Sequence, residues 1–420
     1  MKNKIQELAS YCLNCRQKPC SNKGCPLSND IPTFINLAKE GKIKDAYMTL
    51  TKTTMLGSIC GKICPHQKQC QGSCIRGIKG EPVQIGQIES FIFDEALKNN
   101  YDKEIKIKDN LKGKKIAIIG SGPSGLTAAF FLRIAGADVT IYEKYNKLGG
   151  ILEYGIPEFR LNKETVERTI KQILNLGVKA ETEKEIGRNI SLNELQNKYD
   201  AIFIGIGANI PSKMSIEGEE LKGVYGGNSL LEKSNHPNYK GKKVAIIGGG
   251  NVAIDCARTV CKMGAKKVYI IYRRAEAQMP AERKEIQEAK KEGIDFLFQN
   301  NVIKIIGKEN VEKIECIKTK LVKTEKNERE VPINIENSNY LMDIDYVIMA
   351  IGSEPERKIV NNLGLELTEK GYIKINEKYQ TSNSKIFAGG DIVDGNQTIA
   401  WAASDGKKAA KSIEEYLLTK

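Results

Sequence analysis

Residues 114–131 read KKIAIIGSGPSGLTAAFF, and residues 242–258 read KKVAIIGGGNVAIDCAR. Each is a short β-branched run, a glycine turn and the start of an apolar helix, so the chain carries an internal repeat of one strand–turn–helix unit. A glycine turn in that place is a dinucleotide-binding corner. Its first glycine permits the tight turn, its second lets the backbone approach a pyrophosphate, and its third lets helix pack on strand. The helix N-terminus then offers free N–H groups and a positive dipole end to the phosphates. The expected fold class is α/β, with two Rossmann-like dinucleotide-binding domains.

In the first unit the turn is Gly120, Ser121, Gly122, Pro123, Ser124 and Gly125. A second strand, DVTIYE, ends at Glu143, 18 residues beyond Gly125, with Lys144 beside it. A carboxylate there accepts hydrogen bonds from a ribose hydroxyl and repels a 2′-phosphate. Gly149 and Gly150 follow soon after and allow the chain to pass close to a flavin's phosphates and ribityl chain. FAGGDIVDG near the other end supplies Gly390 and Asp391, a carboxylate suited to a ribityl hydroxyl. A helix from Thr398 could aim its positive end at the flavin's pyrimidine edge. These features point to FAD.

In the second unit Gly248, Gly250, Asn251, Val252 and Ala253 repeat the geometry as GxGxxA. Its second strand, KVYIIYRR, ends in Arg273 and Arg274 instead of a carboxylate. Guanidinium groups suit a 2′-phosphate, which favours NADPH over NADH. The plainer alternative is an arginine pair on the surface.

Eight of the eleven cysteines lie between Cys12 and Cys74, at Cys12-x2-Cys15-x4-Cys20-x4-Cys25-Pro26 and Cys60-x3-Cys64-Pro65-x5-Cys70-x3-Cys74. Thiolates this dense bind zinc or iron–sulfur clusters. Two Cys-Pro pairs, and fusion to a flavin–nicotinamide unit, favour iron–sulfur. A flavin can split a hydride into single electrons that a cluster carries away, whereas zinc has no redox role. Cys256, Cys261 and Cys316 read as small core residues.

The expected organisation is a helical iron–sulfur domain over residues 1–112, including helical segments in IPTFINLAKEGKIKDAYMTL. An FAD domain follows in two parts, 113–235 and 350–420, split by an inserted NADPH domain over 236–349. Alternating β-branched and charged residues between about Asn301 and Met349 suggest antiparallel strands closing the inserted domain.

Composition bounds the rest. The chain has 420 residues, a formal net charge of +13 and two histidines, His66 and His236, which excludes mechanisms needing several imidazoles. The charge fits a lysine-rich surface or a docking face for an acidic partner. The basic residues form no aromatic-interleaved stripe, which argues against nucleic acid. No apolar run reaches the ~20 residues that span a bilayer, and the opening MKNKIQELAS lacks the apolar core of a secretory signal. A cytoplasmic, reducing location is expected, with no disulfide framework.

Together CPLSNDIP, ICGKICP, the first glycine turn, LGGILEYGIPEFRL, YRRAEAQMPAE, AIGSEP and FAGGDIVDG resemble the small (beta) subunit family of NADPH-dependent glutamate synthases over essentially the whole chain. The flavin arm of dihydropyrimidine dehydrogenases and the large subunit of bifurcating NADP–ferredoxin oxidoreductases share the architecture. The resemblance implies two interleaved [4Fe–4S] clusters. One takes Cys12, Cys15, Cys20 and Cys74. The other takes Cys25, Cys64 and Cys70, with Glu89 as its last ligand and Cys60 as the competing candidate. Four residues, not the family's three, separate Cys20 from Cys25. Tyr154-Gly155-Ile156-Pro157 would lie near the isoalloxazine ring.

The resemblance further implies an electron relay from NADPH through FAD and the clusters to a large subunit that makes L-glutamate. No catalytic side chain is nominated, because the cofactors carry the chemistry. The rival functions are the same module serving a dihydropyrimidine dehydrogenase or a ferredoxin, a non-enzymatic iron–sulfur redox sensor, and a zinc-bearing nucleic-acid module.

Overall fold

The computed structural model describes residues 2–232, 236–324 and 327–419. Five helices come first: α1 (Lys2–Ser10), α2 (Ile31–Lys39), α3 (Ile43–Leu50), α4 (Gly57–Ile63) and α5 (Ile85–Asn99). In α2 the residues Ile31, Phe34, Ile35 and Ala38 are all buried. Their i, i+3, i+4, i+7 spacing makes one apolar face. Asn100 ends α5 in the left-handed region, at φ 54°.

The first α/β part runs β1 (Lys115–Ile119), α6 (Pro123–Ile134), β2 (Asp138–Tyr142), α7 (Ile151–Tyr154), α8 (Lys163–Asn175), β3 (Lys179–Glu181), α9 (Leu192–Lys198) and β4 (Ala201–Ile204). The chain continues through β5 (Ile210–Pro211), β6 (Val224–Gly226), α10 (Gly227–Glu232), β7 (Lys243–Ile247), α11 (Asn251–Lys262), β8 (Lys267–Tyr272), α12 (Arg283–Lys291) and β9 (Asp295–Phe298). Next come β10 (Asn300–Ile306), β11 (Lys313–Thr324), β12 (Asn327–Asn334), β13 (Tyr340–Asp343), β14 (Tyr346–Met349) and β15 (Ser353–Glu354). It ends with α13 (Arg357–Asn362), β16 (Ile386–Ala388) and α14 (Ile399–Leu418).

Two compact units result, Met1–Ala208 with Pro355–Lys420, and Asn209–Glu354. The first contains a parallel sheet in the order β16-β4-β1-β2-β3. One face of that sheet and the helical segment share a single core, in which Phe34, Tyr47 and Phe93 join Ile118, Phe130 and Ile413. Residues 1–112 are therefore not a separate globule. Even the lysine-rich stretch before β1 is anchored, with Leu111 buried and its N–H bonded to Ala135 O.

The second unit has a parallel sheet in the order β6-β14-β7-β8-β9 and an antiparallel layer of β10 to β13. Alternation along β7 sends Val244 and Ile246 into one core and Ala245 and Ile247 into another, the latter closed by Val302, Ile314 and Cys316 of the antiparallel layer. β14 is the exception to the antiparallel expectation, since it pairs in parallel with β6 and β7.

Two boundaries need correction. The second unit begins at Asn209, not 236, because β6 supplies its edge strand by pairing Val224 with Val347. It ends at Glu354, not 349, because β15 pairs with β5. Among the described residues no helix is long and apolar enough to cross a membrane.

Candidate functional site

The first glycine turn stands at the C-terminal end of β1, where β4 and β16 also end. A Cβ on Gly205 or on Gly390 would sit 2.8 Å from Ser124 Oγ, so the three strand ends meet at the start of α6. The second glycine of the turn, Gly122, is open: a Cβ there meets nothing within 4 Å. A free face beside the α6 N-terminus is what an approaching phosphate needs. Gly150 closes on this turn from the far side, with a φ of 53° and a Cβ position only 2.9 Å from Gly122 Cα.

Glu143 follows β2 and is buried. Its Oε2 accepts from Ser121 N at 3.0 Å and Ser121 Oγ at 2.5 Å, and its Oε1 from Tyr145 N at 3.0 Å. Burial pushes its pKa up, and the Ser121 hydrogen bonds oppose that. Lys144 stays near the strand end, its Nζ 4.6 Å from the Tyr145 ring centre.

Asp391 lies one residue after Gly390, whose φ is 80°. Its Oδ1 is closed to solvent and has no hydrogen-bond partner. Burial, then the charge of Asp405, pushes its pKa up to about 6. An orphaned buried acceptor beside an open phosphate corner fits a ligand hydroxyl. Thr398 caps α14, its Oγ1 accepting from Trp401 N at 3.3 Å.

The second turn repeats the open cradle. A Cβ on Gly250 meets only Pro280 Cγ, at 4.0 Å, while Gly248 takes φ 138°. Val252 and Ala253 lie on α11, with Ala253 buried. Asn251 turns away from the cradle, because its Oδ1 accepts from Glu282 N at 3.0 Å. Together with Ala281 N bonded to Gly249 O, that contact folds the MPAE segment onto the turn. Arg273 and Arg274 follow β8, the first exposed and the second half-buried. Their carbonyls accept from Thr319 Oγ1 and Gln299 N, and among the described residues neither guanidinium has an ion-pair partner.

The N-terminal cysteines separate into two groups. Cys12, Cys15, Cys20 and Cys74 line one cavity with Ile31 and Val83. Burial pushes Cys12 and Cys20 up, Cys20 to about 11, and each also feels the charge of Cys74. The second group is Cys25, Cys60, Cys64, Cys70 and Glu89. Burial pushes Cys25 to about 12 and Cys70 upward, while Cys64 is raised by its hydrogen bond to Cys60 and then by burial. The Glu89 charge acts on Cys25, Cys64 and Cys70 alike. Glu89 is itself buried, is pushed to about 8 by that burial, and accepts from Asn29 Nδ2 at 3.1 Å.

A buried set of anionic ligands is stable only around a positive centre. Among the described residues no three such side chains converge as one ion requires. A cluster, whose irons each take a ligand, holds its thiolates farther apart than that, and the residues present fit it. Gly24 brings the two halves together, since a Cβ there would sit 2.7 Å from Gln69 O and 2.8 Å from Cys70 Cα. Cys256 and Cys316 are fully buried, whereas Cys261 is only half-buried, with Sγ 3.4 Å from Glu292 O.

Several groups escaped the sequence reading. Ser121 bridges the turn to Glu143 and also accepts from Gly149 N at 2.9 Å. Asp405 accepts from Tyr379 OH and Gly390 N. Lys163 holds the Tyr154–Pro157 segment by donating to Leu152 O at 2.8 Å and Ile156 O at 2.5 Å. Ser404 and Lys407 on α14 donate to Pro26 O and Leu27 O. All depend on residues far apart in the chain, or on serine and lysine, which are too common to stand out.

Residues 114–406 match the pyridine nucleotide-disulphide oxidoreductase family, and residues 1–101 match dihydropyrimidine dehydrogenase domain II, 4Fe-4S cluster. The glutamate synthase [NADPH] small chain of Halomonas elongata is 35% identical over 97% of this chain and 90% of its own length. The chain belongs to the glutamate synthase small-chain family. It is a nicotinamide-linked oxidoreductase with a 4Fe–4S region. This family member is also 34% identical to the NADP(+)-dependent formate dehydrogenase subunit beta of Moorella thermoacetica, across 95% of its own length and 60% of that protein. Among solved structures, Mycobacterium tuberculosis FprA in complex with NADPH shares the fold at TM-score 0.64 and 20% identity, covering 72% of this chain and 84% of that one.

Proposed function

We propose that this small-chain relative carries electrons from NADPH through FAD and two [4Fe–4S] clusters to a partner subunit, and that the partner is the large subunit of a glutamate synthase. The observation that carries the reading is the division of the cysteines into two groups inside the same compact unit as the first glycine turn. When bound, FAD and the clusters supply the conversion of a hydride into single electrons.

The chain's own residues bind and orient. Gly120, Gly122, Pro123, Ser124 and Gly125 present the α6 N-terminus to the FAD pyrophosphate. Glu143, fixed by Ser121, accepts from the ribose, with Lys144, Gly149 and Gly150 along the same wall. Gly390 and Asp391 take the ribityl chain, and the Thr398-capped start of α14 faces the ring. In unit Asn209–Glu354, Gly248, Gly250, Val252 and Ala253 receive the nicotinamide dinucleotide, Asn251 positions the MPAE lid segment, and Arg273 and Arg274 hold the 2′-phosphate. Cys12, Cys15, Cys20 and Cys74 hold one cluster. Cys25, Cys64 and Cys70 hold the other, with Glu89, buried in the same group, as its last ligand and Cys60 as the competing candidate.

Replacing Arg273 and Arg274 with alanine is expected to raise KM for NADPH about tenfold or more, as lost charge-assisted hydrogen bonds do, and to leave NADH turnover unchanged. Equal losses with both nucleotides would contradict the 2′-phosphate role. An anaerobic pull-down from native cells tests the partner. Recovery of a large amidotransferase subunit supports glutamate synthase. Recovery of a formate- or pyrimidine-linked subunit instead supports the second reading, a general electron module, which the similarity to the formate dehydrogenase subunit favours.

A further inference from the structure

We infer that Lys407 is the cation that sets the reduction potential of the cluster held by Cys25. The inference rests on the assignment of Cys25, Cys64, Cys70 and Glu89 to that cluster. α14 is tied to the ligand-bearing turn Cys25-Pro26-Leu27 at two successive residues. Ser404 Oγ donates to Pro26 O at 2.8 Å, and Lys407 Nζ donates to Leu27 O. The turn itself is closed by Ser28 N on Cys25 O at 2.9 Å.

The ammonium is partly withdrawn from water, and among the described residues no carboxylate pairs with it. Most of the other described lysines are either exposed or matched to an acid. A half-buried, unmatched ammonium is costly unless an anion stands near. Burial pushes the Lys407 pKa down and the neighbouring Lys408 adds to that, while the Cys25 sulfur, as the thiolate it becomes on binding a cluster, favours the protonated amine. Glu89 belongs to the same group and would add a carboxylate to the ligand set once a cluster is bound. Lys407 is therefore the positive group set against an anionic site.

The consequence for redox chemistry follows from charge alone. Reduction adds one electron to the cluster and makes or breaks no bond at Lys407, and the electron comes ultimately from NADPH. A fixed positive charge favours the more negative, reduced form and raises the potential, since net charge and hydrogen bonding set cluster potentials. α14 also packs on the first glycine turn, where a Cβ on Gly406 would stand 2.1 Å from Ser124 O. The tuning thus falls where electrons leave the flavin side of this unit.

The test is an anaerobic redox titration of the full-length holoprotein, followed by electron paramagnetic resonance. The Cys25 cluster is identified as the signal lost in Cys64→Ala. Lys407→Met removes charge and donor together. Lys407→Gln removes the charge and keeps a donor for Leu27 O, and with it the turn. Lys408→Met, one residue along, controls for any general effect of lost charge. At a fixed applied potential, both Lys407 variants are expected to lower the reduced-to-oxidised ratio of that cluster about tenfold, roughly 59 mV for a one-electron couple. The other cluster, the flavin and Lys408→Met should not move. An unchanged ratio in an iron-replete Lys407→Gln, or an equal shift in Lys408→Met, would overturn the inference. A wild-type protein lacking the second cluster signal would instead sink the ligand assignment, and this inference with it.

Discussion

Asp391 is a carboxylate waiting for a donor. Its ordinary pKa is 3.8, and burial followed by Asp405 raises it to about 6. The folded chain therefore prefers the protonated acid. The stability this group lends is present below about pH 4 and is lost as pH rises through about 6, a swing of about 3 kcal/mol. Asp391→Asn is expected to flatten that part of the pH dependence in the flavin-free chain, read as the urea midpoint between about pH 4 and 7. It should also weaken flavin retention, because the amide leaves a ligand hydroxyl a poorer acceptor. An identical pH profile in both proteins would show that Asp391 does not titrate in the fold. The residue itself was legible in FAGGD. Its partnerless Oδ1 and its coupling to Asp405 were not, because α14 brings Asp405 there from the next element.

At the scale of elements, strand–turn–helix units were readable because each is local: β1, α6 and β2 follow one another and carry their own pattern. β6 was not, since three residues, VYG, hold no periodicity and their register is set by Val347 far downstream. The seating of α14 on α6 was equally hidden. It turns on Gly406, where a Cβ would stand 2.1 Å from Ser124 O. Gly406→Ala should gain roughly 1 kcal/mol of helix propensity, yet the clash forces α14 outward at a cost of about 1–3 kcal/mol. The expected outcome is a lower melting temperature with reduced flavin content. A stabilised variant with full flavin would mean that the helices separate freely. The cysteine groups show the same division between local and distant information. Spacing marked the eight cysteines, but only the fold brings Cys74 to Cys12 and Glu89 to Cys25.

Over the whole molecule, the two compact units are expected to respond separately to their ligands. Saturating NADP+ at a hundred times its Kd stabilises whatever binds it by about 2.7 kcal/mol. Hydrogen exchange should slow across Asn209–Glu354 and remain unchanged in Met1–Ala208 and Pro355–Lys420. Slowing spread evenly over both would contradict the division. The sequence displayed two repeats but not the shared core of the helical segment and the first sheet, because burial of Phe34 and Phe130 in one cluster is a three-dimensional fact.

The unit Asn209–Glu354 begins and ends on one short two-residue ladder. β5 and β15 pair Ile210 with Glu354 and Pro211 with Ser353, so its two ends are neighbours, about 5 Å apart. It is a cassette. A short turn joining Ala208 to Pro355 would excise it while leaving the first sheet's strand order intact. The truncated protein would be a flavoprotein reducible by dithionite but deaf to NADPH. Exchange of the cassette for one with an acidic strand end would, by the same route, redirect the chain to NADH.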